Sequence, residues 1–328
     1  IKMRIGIYSP NWIGDSVLAI PFIQSLRIQE QDAEIIIICK DWVSGVYENH
    51  PAVNDIMPFP KAELTGLVNI IRTGRSLKKL DFDKFYTLTD SFRSAFILWL
   101  SGAKHRYGYG SQMRSIFLTD VRPLSRKGIH RSKKYLNLIG GNSKVLHVPE
   151  IHLTKSENVW AEKEMEKIDL INPIALFPFS VARNRNISSD VFIQWIKNSK
   201  NDYLVFGSRN EIEKGERLLD DCSGISIRSI CGKYSLRESI ALISVCNYIL
   251  ATDSGLGHLS AAMGLPTISF FGVGVDAVTS PIGKNTKIIK HCSPCLGELC
   301  KDLENDRSCI KEISRFDIEV AVNEITNQ

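Results

Sequence analysis

The chain has 328 residues, 44% hydrophobic and 23% charged, the profile of a soluble globular protein long enough for two domains of about 150 residues. No apolar run reaches the roughly 18 residues that a transmembrane helix needs, AFILWLSGA at 95–103 being the longest, and IKMRIGIY at the start has no signal-peptide pattern, so a cytoplasmic protein is expected. The formal net charge is +5, yet residues 101–150 hold ten Lys/Arg against Asp120 and Glu150, so the basic character belongs to one band, which suits a polyanionic partner or is simply a solvated face.

In chain order, short apolar runs alternate with amphipathic stretches. RIGIYS precedes a helix over 15–29. EIIIIC precedes one over 41–49, DIMPF one over 63–79 and KFYTLT one over 92–101. This rhythm predicts a parallel sheet covered on both faces. Residues 102–150 read as less regular. After a polar helix at 156–168 the rhythm restarts: PIALFPFS, a helix over 189–199, DYLVFGS, a charged helix from Asn210, ISIRSIC, SLRESIALISVC, NYILAT and PTISFFG. A last helix follows, with Ser314 as its N-cap. The expected fold is α/β, with two Rossmann-like doubly wound domains, 1–155 and 156–328, facing a central cleft. Ligands of such sheets bind beyond the carboxyl ends of the strands, so the loops after the strands carry the functional signal.

ATDSGLGHLSAAMG (251–264) is the strongest of these. Asp253, Ser254 and Gly255 end a strand and open a helix whose first turn holds Gly257 and His258. Small residues let a ligand approach the backbone, and the free N–H groups of the helix start favour a phosphate. The plain alternative is a capped, tightly packed turn. FPFSVARNRN supplies Ser180, Arg183 and Arg185 as charge clamps for such a phosphate, or as exposed loop arginines. In FGSRNEIE, Glu211 is a candidate ribose ligand or an ordinary first-turn acid. DSFRSA and HRYGYGSQMR bring Arg93, Arg106 and Arg114 toward one sheet edge with aromatic residues between them. No zinc-finger, RRM or helix-turn-helix pattern accompanies them, so nucleic acid is not expected. In SPNWIGDSVLAIP, Asp15 stands at the end of the first strand, as a helix cap or as a base for a hydroxyl.

NWIGDSVLAIPFIQSLR together with TDSGLGHLSAAMGLPTISFFG resembles the ADP-heptose:lipopolysaccharide heptosyltransferases, glycosyltransferase family 9, and the Trp-hydrophobic-Gly-Asp form is closest to the branch that adds the second inner-core heptose. The resemblance spans most of the chain. It implies the GT-B architecture and an inverting transfer of heptose from ADP-heptose to a sugar hydroxyl, without a cofactor. Asp15 would be the general base, with Ser180, Arg185, Glu211, Asp253, Ser254, Gly255 and His258 on the donor. Trp12, Arg93, Arg106 and Arg114 are expected to meet an anionic lipopolysaccharide acceptor, with the enzyme peripheral at the inner face of the cytoplasmic membrane. RNIS (185–188) departs from the family's usual Lys-Arg-Trp-Pro or Lys-His-Trp-Pro. That departure keeps open transfer of another nucleotide sugar, heptose transfer to a protein, and a nucleotide-sugar binder without catalysis. Finally, Cys292, Cys295, Cys300 and Cys309 lie within eighteen residues, close enough to wrap one structural Zn or Fe, to stay as free thiols, or to pair on oxidation.

Overall fold

The structure, a computed structural model, describes residues 2–123, 128–140, 147–181, 185–272, 276–290 and 312–326. It divides into two compact units, Ile1–His152 and Leu153–Gln328. The sequence pattern puts the division after residue 155. The structural division instead keeps Thr154 with the helix that it caps through a reciprocal Thr154–Glu157 box.

The first unit runs β1 (Arg4–Tyr8), α1 (Ile13–Gln29), β2 (Glu34–Lys40), β3 (Asp55–Phe59), α2 (Leu67–Ser76), β4 (Lys84–Thr87), α3 (Phe92–Leu100), β5 (His105–Tyr109), β6 (Asp120–Arg122) and α4 (Arg131–Leu136). Its six strands lie in the order β3-β2-β1-β4-β5-β6 and every pairing is parallel. Because helices cover both faces, central strands can be apolar without alternation. In β2, Ile35 to Cys39 are all buried, each contributing about 1.5–3 kcal/mol of burial for the larger side chains.

The sequence expectation departs from the structure in three places here. The helix expected over 41–49 is a short 3-10 turn, Asp41–Val46. The one expected over 63–79 starts only at Leu67, because Gly66 at φ +80° breaks the helical path. The stretch taken as irregular, 102–150, supplies β5, β6 and α4. β6 is three residues long, too short for any periodicity to register.

The second unit runs α5 (Lys155–Ile168), β7 (Ile174–Phe177), α6 (Ser189–Lys197), β8 (Tyr203–Val205), α7 (Ile212–Asp221), β9 (Ile227–Ser229), α8 (Leu236–Ser244), β10 (Ile249–Thr252), α9 (Gly255–Ala262), β11 (Thr267–Phe270), α10 (Asp276–Thr279), β12 (Thr286–Ile289) and α11 (Arg315–Thr326). Its sheet order is β12-β11-β10-β7-β8-β9, again all parallel. Counted from its own first strand, this is the same 3-2-1-4-5-6 order as in the first unit. β12 is an edge strand that the sequence pattern does not predict. Ser314 stands directly before α11, and its N–H and hydroxyl both donate to Asp317 Oδ2, at 2.8 and 2.7 Å.

In both sheets the order reverses beside the first strand. Loops leaving the two strands that flank this point diverge to opposite faces and leave a crevice at the carboxyl edge. In the first unit those strands are β1 and β4; in the second, β7 and β10.

Candidate functional site

At the carboxyl edge of the first unit, β1 hands over to α1 through Ser9–Trp12. The N-cap of α1 is Trp12, whose side chain makes no capping bond and is 61% exposed. Asp15 is therefore in the first turn and is not the cap. Its carboxylate faces α4: Arg131 Nη1 is 3.6 Å from Asp15 Oδ1. Arg131 also hydrogen-bonds the buried Tyr135, one turn further along α4. Burial, with Asp15 nearby, pushes the Tyr135 hydroxyl well up, so it stays protonated. Behind Asp15, Ser9 Oγ lies 2.6 Å from the hydroxyl of Tyr47, which burial also pushes up. Trp42 Nε1 donates to Asn11 O at 2.9 Å and steadies the loop.

Across the reversal point, the loop after β4 carries Asp90. Lys134, three residues beyond Arg131 on α4, pairs with Asp90 Oδ2, and Arg114 Nη2 reaches Oδ1 at 3.2 Å. Tyr109 at the end of β5 seats this helix by donating its hydroxyl to Lys134 O at 2.5 Å. One short helix thus holds both carboxylates at the edge.

The three arginines expected at the acceptor occupy different environments. Arg93 is exposed on the first turn of α3, with Nη1 donating to Leu64 O at 3.2 Å. Arg106 is half-buried and spends its guanidinium on Phe117 O and Ala103 O, at 2.8 and 2.6 Å. Arg114 is wholly buried: Nε donates to Tyr109 O at 2.6 Å and Nη1 to Thr89 O. Arg114 therefore ties the loops after β4 and β5 together and presents no group at the surface. Its aromatic neighbours in sequence suggest a surface patch, because burial between two loops leaves no mark in a linear pattern.

The second unit gathers its polar groups at the ends of β7 and β10. Ser180 Oγ donates to Asp253 O at 3.1 Å, and Thr252 Oγ1 to Phe177 O at 3.1 Å. Arg185 Nη1 lies 3.2 Å from Asp253 Oδ2, whose side chain is 4% exposed. These three contacts lace the two loops together. Ser254 is the N-cap residue of α9, yet its side chain caps nothing, and among the described residues its Oγ has no hydrogen-bond partner. An uncapped start of an eight-residue helix keeps its N–H groups and hydroxyl for an anion. Gly257 belongs to packing: a Cβ there would stand 3.0 Å from Ala251 Cβ. His258 is buried in the same helix.

Glu211 sits after β8, where Ser208 N and Oγ both donate to its Oε2, at 2.7 and 2.9 Å. This is a capping box, and the S-x-x-E spacing of SRNE is its sequence signal. Arg183 and the cysteines at 292, 295, 300 and 309 lie outside the described residues.

Arg131, Lys134, Tyr135 and Asp90 are site-edge residues that the sequence pattern does not single out. The 131/134 spacing is the available signal, since residues three apart share a helix face.

Two all-parallel doubly wound units, each with polar loops at its reversal point, are the units from which GT-B glycosyltransferases are built. The chain belongs to glycosyltransferase family 9 (heptosyltransferase), whose profile matches residues 70–305. It is 24% identical over 314 residues to lipopolysaccharide heptosyltransferase 2 of Escherichia coli K12, with 88% of each chain covered. It is 26% identical over 325 residues to lipooligosaccharide heptosyltransferase 2 of Haemophilus influenzae, covering 93% of this chain and 92% of the relative. The fold is similar to that of E. coli ADP-heptose LPS heptosyltransferase II, at a TM-score of 0.85, 21% identity and 99% coverage of both chains. It is also similar to a family 9 glycosyltransferase from Veillonella parvula, at a TM-score of 0.86 and 17% identity, with 98% and 97% covered.

Proposed function

We propose that the chain transfers heptose from ADP-heptose to a sugar hydroxyl of a lipopolysaccharide inner core, with inversion. The observation that carries this reading is the uncapped start of α9, where the Ser254 hydroxyl has no partner among the described residues, directly after Asp253 of the Arg185–Asp253 pair. It supplies neutral N–H donors, a hydroxyl and a cation for a diphosphate.

In this reading Asp15 accepts the proton of the acceptor hydroxyl. The oxygen attacks the anomeric carbon of the heptose from the face opposite the phosphate. The bond from that carbon to the phosphate oxygen breaks, and ADP leaves with its electron pair. The α9 dipole, Ser254 and Arg185 stabilise the charge that develops on ADP. Asp253 orients Arg185 and is itself too buried to be the proton acceptor. His258 stands one turn after Ser254 to serve the donor's hydroxyls, and Gly255 admits the diphosphate to the backbone, while Gly257 seats the helix against β10. Glu211 Oε1, which accepts no bond among the described residues, serves the ribose. Arg183 would add a further cation. Trp12 and Arg93 meet the acceptor directly, while Arg106 and Arg114 shape the loops beside it. The acceptor is lipid-anchored, so the enzyme works as a peripheral protein at the inner face of the cytoplasmic membrane.

The test is incubation with ADP-heptose and heptose-deficient lipopolysaccharide. Release of ADP with a matching mass gain on the acceptor supports the reading. ADP-heptose binding without transfer would favour the catalytically silent alternative that RNIS (185–188) keeps open. For the cysteines, metal analysis of protein purified under reducing conditions separates the alternatives: near one equivalent of Zn or Fe supports a structural metal, and less than about 0.2 removes it.

A further inference from the structure

α2, α3 and the 3-10 turn Arg114–Phe117 form one layer on the first unit. The two helices run side by side in the same direction. Arg93 at the start of α3 bonds Leu64 O just before α2, and at the other end Gly74 of α2 lies so close to α3 that a Cβ there would meet Leu100 Cβ at 2.6 Å. On the far side of α3, Phe92, Phe96, Trp99 and Phe117 form a ring cluster with centroids 5.1–6.4 Å apart. This cluster is not closed over. Phe92 and Trp99 are 44% and 48% exposed, and beside them Ile116 and Met113 stand 76% and 87% exposed. At the start of α2, Leu67 and Val68 are 66% and 70% exposed. So many large apolar side chains on one layer mark a contact surface rather than scattered exposure.

The charge around them is predominantly positive. Lys61, Arg72, Arg75, Lys78, Lys79 and Arg93 are exposed, and Glu63 is the one exposed acid in 61–80, 92–100 and 113–117. Arg72 and Arg75, three apart on α2, share a face, and Lys78 and Lys79 follow directly in the 3-10 turn Leu77–Leu80. The layer also starts at the carboxyl edge of β4, within three residues of Asp90, where the proposed acceptor is met.

We propose that this layer docks the enzyme on an anionic lipid surface. Trp99, Phe92, Ile116 and Val68 enter the interfacial region, and the Lys/Arg set pairs with anionic headgroups. A second copy of the chain is a poorer occupant, since a two-fold contact would set these cations against themselves. The proposal rests on the transferase reading only in explaining why the surface adjoins the acceptor edge.

The experiment is co-sedimentation of the full chain with vesicles of phosphatidylcholine alone or with about 30% phosphatidylglycerol. Binding to the anionic vesicles alone is expected, weakening with salt. Val68→Glu with Ile116→Glu, and separately Arg75→Glu with Lys79→Glu, should each lower vesicle affinity at least about tenfold. Both should leave ADP release with a water-soluble delipidated acceptor unchanged, which also reports that they fold. Wild-type protein that ignores anionic vesicles, or variants that bind them as well as wild type, overturns the proposal. Self-association in sedimentation velocity that both variants abolish overturns it in favour of a second copy. Vesicle binding without any transfer to lipopolysaccharide would sink the transferase reading and leave this surface standing.

Discussion

Arg131 Nη1 reaches to 3.6 Å from Asp15 Oδ1, so the carboxylate that opens α1 is set by a guanidinium from α4, more than a hundred residues later. The partner is itself fixed, through Tyr135 and burial. A carboxylate oriented in this way loses little freedom when it takes a proton from an acceptor.

Asp15→Asn keeps the shape and removes the base. Turnover should fall by about 10² to 10⁴-fold, the usual worth of a general base. ADP affinity, read by calorimetry, should stay at the wild-type value. Retained turnover would remove Asp15 from the chemistry.

Arg131→Gln should lower kcat more than it raises the KM of either substrate, because the residue positions Asp15 rather than gripping a ligand. Arg131→Lys should recover part of the loss, and Tyr135→Phe should show a smaller defect of the same kind. Steady-state kinetics on all three variants, beside far-UV circular dichroism, checks this.

On the donor side, Arg185→Ala should weaken ADP binding by about tenfold, the worth of one charge-assisted contact to a phosphate. Arg185→Lys should restore most of it, since a lysine can still reach the diphosphate as a point charge. An unchanged dissociation constant in the Ala variant would leave the arginine to Asp253 alone.

Arg114→Ala should cost about 3 kcal/mol of stability. It removes the guanidinium donors to Tyr109 O and Thr89 O, leaving Thr89 O only the longer bond from Thr87 Oγ1 at 3.2 Å, and takes from Asp90 one of its two cations. Lysine should not rescue it, since one ammonium does not span three acceptors. Denaturant unfolding gives the number.

His50 supplies a pH test. Burial, with the ring of His152 at 5.0 Å, pushes it from 6.5 down to about 4. Its Nδ1 accepts the Ala52 N–H at 3.1 Å, which favours the neutral ring. Glu150 faces His152 at 3.5 Å and is the nearby acid. The unfolded chain therefore binds a proton before the folded one does. This contribution is complete above about pH 6.5 and is lost as pH falls toward 4, by up to about 3 kcal/mol. His50→Asn should flatten the stability profile across that window, as followed by thermal unfolding at each pH. A variant with the wild-type slope would refute the assignment.

Much of the fold can be read from the chain because its central strands are buried on both faces. IIIIC and PIALF are unbroken apolar runs, and few other settings tolerate them. β5 and β6 escape notice for the opposite reason: HRYGY is polar and DVR is too short to show a period. The strand end and helix start at ATDSGLGH are legible, and they are where we propose that an anion binds. Whether Ser254 caps its own helix is not, since the sequence suits either and only the backbone path decides. Glu211 shows the reverse, a residue whose S-x-x-E spacing announces a cap. Arg114 and Arg131 look alike in a basic band, yet one is interior and one meets Asp15. Their difference comes from packing between loops far apart in sequence.

α4 itself has a mechanical consequence. It is six residues long, with Arg131 and Lys134 on one face. A turn of this peg about its axis would loosen Asp15 and Asp90 in the same stroke. The two anions at the reversal point answer to a single lever, with the Tyr109 hydroxyl as its pin.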